Sequence, residues 1–236
     1  MIFIAGEGSM GHLIDAYCTQ EGEAHAFWRD LPNTPISDSV VIHVGSKKKL
    51  LDVVRWCEQT EVPLIHAASG LNRCLPHPST FAVVIAPSLS LRVNKFLDDL
   101  GDKRHLAQTK GAVTSIKVSH QVGKKTPPGT AHAIAELLGV PLSVVEQIGD
   151  EDQEKIAFGV EPQYLKRHSH HRVQIFHGAE CKLDMTIRVN GLAEYAHGAV
   201  VIARAVMKLH REKRLCPGEY SVSYILREAA KRTVPA

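Results

Sequence analysis

The first thirteen residues, Met-Ile-Phe-Ile-Ala-Gly-Glu-Gly-Ser-Met-Gly-His-Leu, constrain what this chain can fold into more than any other stretch. A short apolar run, Ile2 to Ala5, opens into Gly6, Gly8 and Gly11, and a helical pattern follows through Ile14, Ala16 and Tyr17. The spacing predicts a buried parallel strand, a tight turn and a helix N-terminus, where backbone N–H groups and the helix dipole receive a pyrophosphate. Gly6 permits the sharp turn, Gly8 lets backbone approach the phosphate, and Gly11 lets helix pack closely on strand. An ordinary strand-to-helix turn that binds nothing has the same spacing; the place of this one, directly after a strand, favours the dinucleotide reading.

The next eighty residues extend that reading. Ala24 to Arg29 reads as a second strand, Val40 to Val44 as a third, Pro63 to His66 as a fourth and Phe81 to Ile85 as a fifth, with a helix from about Lys48 to Gln59 between the third and fourth. Short apolar strands alternating with helices predict a Rossmann-type α/β fold, a doubly wound parallel sheet. Such sheets bind ligands outside the carboxyl ends of their strands, which here carry small residues at Ala67-Ala68-Ser69-Gly70 and Ala86-Pro87-Ser88-Leu89-Ser90. At the end of the second strand an acid favours the free 2′-hydroxyl of an adenosine ribose and an arginine favours a 2′-phosphate. Arg29 there points to NADPH or is a surface arginine, with Asp30 just beyond.

From Leu91 the pattern changes. A helix to Leu100, a polar stretch from Gly101 to Gly111, an alternating strand from Ala112 to His120, a loop, and a helix from Thr130 to Leu138 precede two further alternating segments, Arg172–His177 and Lys182–Val189. This predicts an α+β domain with a mixed or antiparallel sheet over residues 91–192, inserted into a dinucleotide-binding domain made of 1–90 and 193–236 and closed by a helix from Ala196 to His210. Asp150 to Lys155 reads as a charged surface turn, and His168, His170 and His171 as a surface loop without the carboxylate or cysteine that would complete a metal site.

Composition excludes several classes. The formal net charge is +3, and the clusters Lys47–Lys49, Lys124–Lys125 and Arg211–Arg214 read as solvated faces, so nucleic acid is not the expected partner. No apolar run approaches the ~18 residues of a membrane span, and no signal peptide opens the chain, so a cytoplasmic protein is expected. Five widely spaced cysteines suggest neither a disulfide framework nor zinc. There is no Gly-x-Ser-x-Gly elbow, P-loop or His-Glu-x-x-His.

The segment Ser119-His120-Gln121-Val122-Gly123-Lys124-Lys125-Thr126-Pro127-Pro128-Gly129-Thr130-Ala131 resembles the dihydrodipicolinate (4-hydroxy-tetrahydrodipicolinate) reductase family, whose stretch runs Glu-x-His-His-x-x-Lys-x-Asp-x-Pro-Ser-Gly-Thr-Ala into a helix. Other pieces agree in order. Gly6 to Gly11 is similar to the family's glycine turn, Ala67 to Gly70 to its Gly-Thr-Thr-Gly, Ala86 to Asn94 to its Ala-x-Asn-Phe-Ser-x-Gly-x-Asn, Tyr195 to Ala199 to its Phe-Ala-x-Gly-Ala, and Gly218 to Ser221 to its Gly-x-Tyr-Ser. The resemblance implies a homo-oligomer, a tetramer or dimer, that uses NADPH or NADH in lysine and diaminopimelate biosynthesis. Hydride would pass to a cyclic unsaturated carboxylate while an acid protonates the adjacent carbon. By position, Gly6, Gly8, Ser9, Met10 and Gly11 would hold the pyrophosphate. Ala67, Ala68 and Ser69, with Ala86, Pro87, Ser88 and Leu89, would surround the nicotinamide. Gly129 and Thr130 would take a substrate carboxylate, with Lys125 beside them.

The departures fall where chemistry is expected. The family's proton-donating histidine becomes Ser119, its supporting lysine Gly123, its aspartate Lys125, and an arginine near the end of the inserted domain Leu192. A serine hydroxyl is no general acid near neutral pH, because proton transfer wants a pKa near the working pH. Three readings follow. In one, His120 gives the proton and Lys124, one residue displaced, binds carboxylate. In another, the scaffold reduces a different imine or enamine carboxylate whose protonation needs no histidine. In the third, it binds nucleotide or a small acid without turnover.

Overall fold

The apolar runs of the first ninety residues become parallel strands buried on both faces, which is why they show no polar alternation. They are β1 (Ile2–Ala5), β2 (His25–Phe27), β3 (Val40–His43), β4 (Leu64–His66) and β5 (Ala82–Ile85), interleaved with the helices α1 (Ser9–Glu21) and α2 (Lys47–Thr60). The computed structural model describes residues 1–30, 38–68, 75, 79–120 and 129–231. The chain divides into two compact units, Met1–Leu91 with Ala193–Ala236, and Arg92–Leu192.

In the first unit a six-stranded sheet runs in the order β10-β5-β4-β3-β1-β2, every pairing parallel, with β10 (Gly218–Ser221) added at the edge by the C-terminal segment. Successive side chains alternate between two helical layers. Ile2, Ile4, Val40, Ile42, Ile65 and Val84 pack against α1, α7 (Ala193–Arg211) and α8 (Val222–Ala230). Phe3, Ala5, Val41, Leu64 and Val83 pack against Leu50, Val53 and Cys57 of α2. The doubly wound sheet expected from the alternation is therefore the fold.

The second unit contains α3 (Leu91–Gly101), a short helix α4 (Arg104–Ala107) within the stretch expected to be merely polar, β6 (Ala112–His120), α5 (Gly129–Leu138), β7 (Val145–Ile148), α6 (Glu151–Phe158), β8 (His168–His177) and β9 (Glu180–Asn190). Its sheet is mixed, in the order β7-β6-β8-β9: β7 runs parallel to β6, while β8 is antiparallel to both β6 and β9.

Three expectations are corrected. The second strand stops at Phe27, and Trp28–Asp30 form a turn of 3-10 helix that turns Arg29 out of the ladder. His168, His170 and His171 lie in β8 rather than a loop, and all three are buried. Asp150 to Lys155 is no surface turn: Asp150 caps α6 by accepting from the Asp152 and Gln153 amides at 3.1 and 3.0 Å, and Glu154, one turn in, is fully buried.

Helix α7 crosses the first unit closely enough that a Cβ on Gly198 would lie 1.9 Å from the Leu89 carbonyl oxygen. Gly198→Ala is expected to cost about 2–3 kcal/mol through forced separation of α7 from that loop. Urea denaturation would register this as a lower midpoint at unchanged slope.

Candidate functional site

The turn after β1 is built by contacts that exclude side chains at two of its three glycines. Gly6 has φ +155°, and a Cβ there would sit 2.8 Å from the Val44 carbonyl carbon and 2.9 Å from the Gly45 nitrogen. A Cβ on Gly11 would lie 1.8 Å from the Gly6 carbonyl oxygen, so α1 rests directly on the turn. Gly8 is different. It is extended (φ −83°, ψ −175°) at the N-cap of α1, and a Cβ would meet nothing within 4 Å. The protein's own packing thus requires Gly6 and Gly11 and leaves the space over Gly8 open.

The first helical bond of α1 runs from the His12 amide to the Gly8 carbonyl at 3.1 Å, and no side chain caps the end. The amides of Ser9, Met10 and Gly11 precede that bond, at the positive end of the helix dipole. Glu7 lies beside them. Its Oε2 accepts from Arg29 Nη1 at 3.0 Å and its Oε1 from Lys49 Nζ at 3.2 Å. Those bonds, the one from Lys49 foremost, hold the Glu7 carboxyl below the usual glutamate range. The Arg29 guanidinium also lies 5.4 Å from the centre of the Phe27 ring, whose other neighbour is the His12 ring at 5.3 Å. Lys49, expected on a solvated face with Lys47 and Lys48, is instead half-buried and turned onto the glycine turn.

Along the carboxyl edge, the Ala67 amide donates to the His43 carbonyl at 3.0 Å and the Ala86 amide to the His66 carbonyl at 2.9 Å. Ala67 and Ala68 are half-buried and Pro87 is exposed, whereas Ala86, Ser88 and Leu89 are buried, Ala86 and Leu89 within the apolar core. Below this edge His43 and His66 stack at 5.2 Å. His43 Nε2 donates to the Ser46 carbonyl at 3.2 Å, which leaves its Nδ1 to accept from His66 Nδ1, also at 3.2 Å. Burial lowers the His43 pKa and so favours its neutral form. Ser69 lies outside the described residues, as do Lys124 and Lys125.

In the second unit, β6 parts two neighbouring candidates. Ile116, Val118 and His120 share the apolar face, and Ser119 faces the other way. His120 is 5% exposed, its ring edge-on to His171 at 5.2 Å. Ser119 is fully buried, 2.6 Å from Nε2 of His168, whose Nδ1 donates to the Tyr164 carbonyl at 3.0 Å. The fully buried Glu154 carboxylate stands 3.6 Å from the same Nε2. His170 Nε2 donates to Asn190 Oδ1 at 2.7 Å, and burial lowers the His170 pKa to about 4. Gly129 and Thr130 open α5, both half-buried.

Glu7, Lys49, the His43–His66 pair and Glu154 escaped the sequence reading. Glu7 stands at a variable position of its motif, and no local periodicity distinguishes an inward Glu154 from Glu151 or Asp152. The two histidines end successive apolar strands, and that placement was the one available signal.

No family model matches the chain, and no curated protein sequence does. Solved structures do. The chain is similar to a dipicolinate-bound dihydrodipicolinate reductase from Paenisporosarcina sp. TG-14, at 13% identity and TM-score 0.56, over 93% of this chain and 96% of that one. Lesser likenesses are to an aspartate dehydrogenase from Thermotoga maritima (12% identity, TM-score 0.47, 86% and 94% covered) and a DAP dehydrogenase from C. glutamicum in complex with DAP (11%, 0.46, 95% and 94%). The first of these establishes the fold: a Rossmann-type parallel sheet with a second, mixed sheet, as in dihydrodipicolinate reductase. Among the described residues no helix is long and apolar enough to cross a membrane.

Burial pushes the Glu154 carboxyl up, against the opposing pull of His168 and Ser119. The folded state therefore holds this proton more tightly than the unfolded chain, and its contribution is lost as pH rises from the ordinary glutamate range through the raised value. Glu154→Gln is expected to melt like the parent below the ordinary glutamate range and to gain on it progressively as pH rises above that range. Parallel thermal melts from below that range to above it read the difference.

Proposed function

We propose that this protein is a nicotinamide-dependent reductase of a small unsaturated carboxylate, resembling 4-hydroxy-tetrahydrodipicolinate reductase. The observation that carries the reading is the open space over Gly8 at the N-terminus of α1, in a turn whose other glycines are held by backbone contact. A diphosphate needs that combination, because its oxygens must come within hydrogen-bond distance of main-chain amides. The fold supports the reading.

In this proposal the first unit takes the cofactor and the second takes the substrate and forms the contacts of a homo-oligomer, a tetramer or dimer, in the cytoplasm. Backbone amides of Gly8, Ser9, Met10 and Gly11 receive the pyrophosphate, and Gly6 shapes the turn. The backbone at Ala67, Ala68, Ser69, Ala86, Pro87, Ser88 and Leu89 borders the nicotinamide end. The bound NADPH or NADH supplies the hydride. The amides of Gly129 and Thr130, at the N-terminus of α5, bind a substrate carboxylate, with Lys124 and Lys125 as its counter-charges.

The proton is assigned to His120. Ser119 is occupied with His168 on the opposite face of β6, and a hydroxyl is too weak an acid for the step. That same observation favours a second reading, in which the substrate is a different imine or enamine carboxylate whose protonation needs no histidine. A non-catalytic nucleotide-binding role is the third.

Titration with NADH and NADPH by intrinsic fluorescence, followed by cofactor oxidation with freshly generated dihydrodipicolinate precursor and then with other cyclic imino acids, separates these. Turnover of the precursor supports the lysine-pathway reaction, turnover of another imino acid the second reading, and binding alone the third; no binding of either cofactor overturns the proposal. Gly8→Asp is expected to leave the melting temperature near that of the parent, since its side chain enters open space, while weakening cofactor binding by about tenfold or more through repulsion of the diphosphate. If His120 gives the proton, His120→Ala lowers kcat by on the order of 100-fold with cofactor affinity unchanged.

A further inference from the structure

We infer that Glu7 sets the choice of cofactor and that the site takes NADH in preference to NADPH; this rests on the dinucleotide site proposed above. Arg29 considered alone points the other way, since an arginine at the end of the second strand is suited to a 2′-phosphate. The structure gives that arginine a partner. Glu7, the second residue of the glycine turn, draws both Arg29, from the 3-10 turn after β2, and Lys49, from the first turn of α2, onto one carboxylate, at 3.0 and 3.2 Å.

The trio is held on several sides. Arg29 lies against the Phe27 ring, and the Lys49 amide donates to the Ser46 hydroxyl at 3.4 Å where that residue caps α2. Glu7 is an anion at neutral pH, its side chain 38% exposed at the turn. An acid near the end of β2 is what accepts a hydrogen bond from a free ribose 2′-hydroxyl. In this chain that acid comes from the turn rather than from the strand end. A 2′-hydroxyl can donate to the carboxylate with both ion pairs intact. A 2′-phosphate would compete with Glu7 for the Arg29 charge and come close to the carboxylate, and like charges near contact repel. Exposure of the trio weakens the discrimination but does not change its sign.

The test titrates the full chain and its Glu7→Gln variant with NADH and NADPH, and in parallel with 5′-AMP and adenosine 2′,5′-bisphosphate, which isolate the adenosine end from the nicotinamide. The parent is expected to bind NADH about tenfold or more tightly than NADPH, and 5′-AMP more tightly than the bisphosphate. Glu7→Gln keeps a hydrogen-bonding side chain and removes the negative charge that Arg29 and Lys49 share, so that their positive charge is offset less at the site of a 2′-phosphate. It is expected to move both ratios by on the order of tenfold toward the 2′-phosphorylated ligand. Arg29→Ala placed on Glu7→Gln should cancel that gain. A parent that prefers NADPH, or a ratio that Glu7→Gln leaves unchanged, overturns the role of Glu7 while leaving the dinucleotide site standing. Failure of the parent to bind any of the four ligands overturns the site itself and this inference with it.

Discussion

The close approach of α1 to the turn beneath it is the contact on which the first unit depends. With hydrogen in place of a side chain at Gly11, the helix rests on the Gly6 carbonyl, and the turn in turn presses on Val44 and Gly45 at the end of β3. Any Cβ at these points would separate the central strand from its helix and from its neighbour strand at once. The seating of α1 brings Ile14 and Cys18 into the core shared with α7 and α8, so the layer on that face follows from it. The same seating aims the free amides of the first helical turn at the carboxyl edge of the sheet, which makes packing and anion binding two results of one constraint.

Electrostatics at that edge follows from the same turn. Gly6 reverses the chain sharply enough that the next residue, Glu7, reaches cations from two other elements, Arg29 after β2 and Lys49 on α2. Three residues widely separated in sequence thus form one charged group beside the open Gly8. In the second unit the polar interior is organised differently. Ser119 bonds His168 between β6 and β8, His170 bonds Asn190 between β8 and β9, and the buried Glu154 carboxyl of α6 stands 3.6 Å from His168 with neither oxygen hydrogen-bonded. A neutral imidazole keeps the cost down at His170, whose pKa burial lowers to about 4.

Local pattern was a good guide wherever burial is apolar. Ile2 to Ala5, Val40 to His43 and Ala82 to Ile85 announce buried strands because parallel strands covered on both faces have no polar side to show. It failed where polar residues go inward. His-Ser-His-His at the start of β8 has the composition of a loop, yet all four residues are buried, Ser169, His170 and His171 paired with His120, Ser119 and Val118 of β6 and all four paired with Asn190 back to Ile187 of β9. Glu154 sits among acids that do face water, and nothing in its neighbours says that it alone turns into the fold. At the candidate site, the glycines and the strand ends are legible as a motif, and the ion pairs that set its charge are not.

The sequence by itself determined the alternation of strands and helices, the glycine turn and the placement of small residues after strands, because these depend on the backbone freedom and apolarity of residues adjacent in the chain. Tertiary structure alone decided that Gly8 stands open while Gly11 is closed, that Ser119 and His120 serve opposite faces of one strand within different surroundings, and that Glu7 neutralises Arg29. Each of these depends on what lies within a few ångströms from a distant part of the chain, and spacing along the sequence carries no measure of that distance.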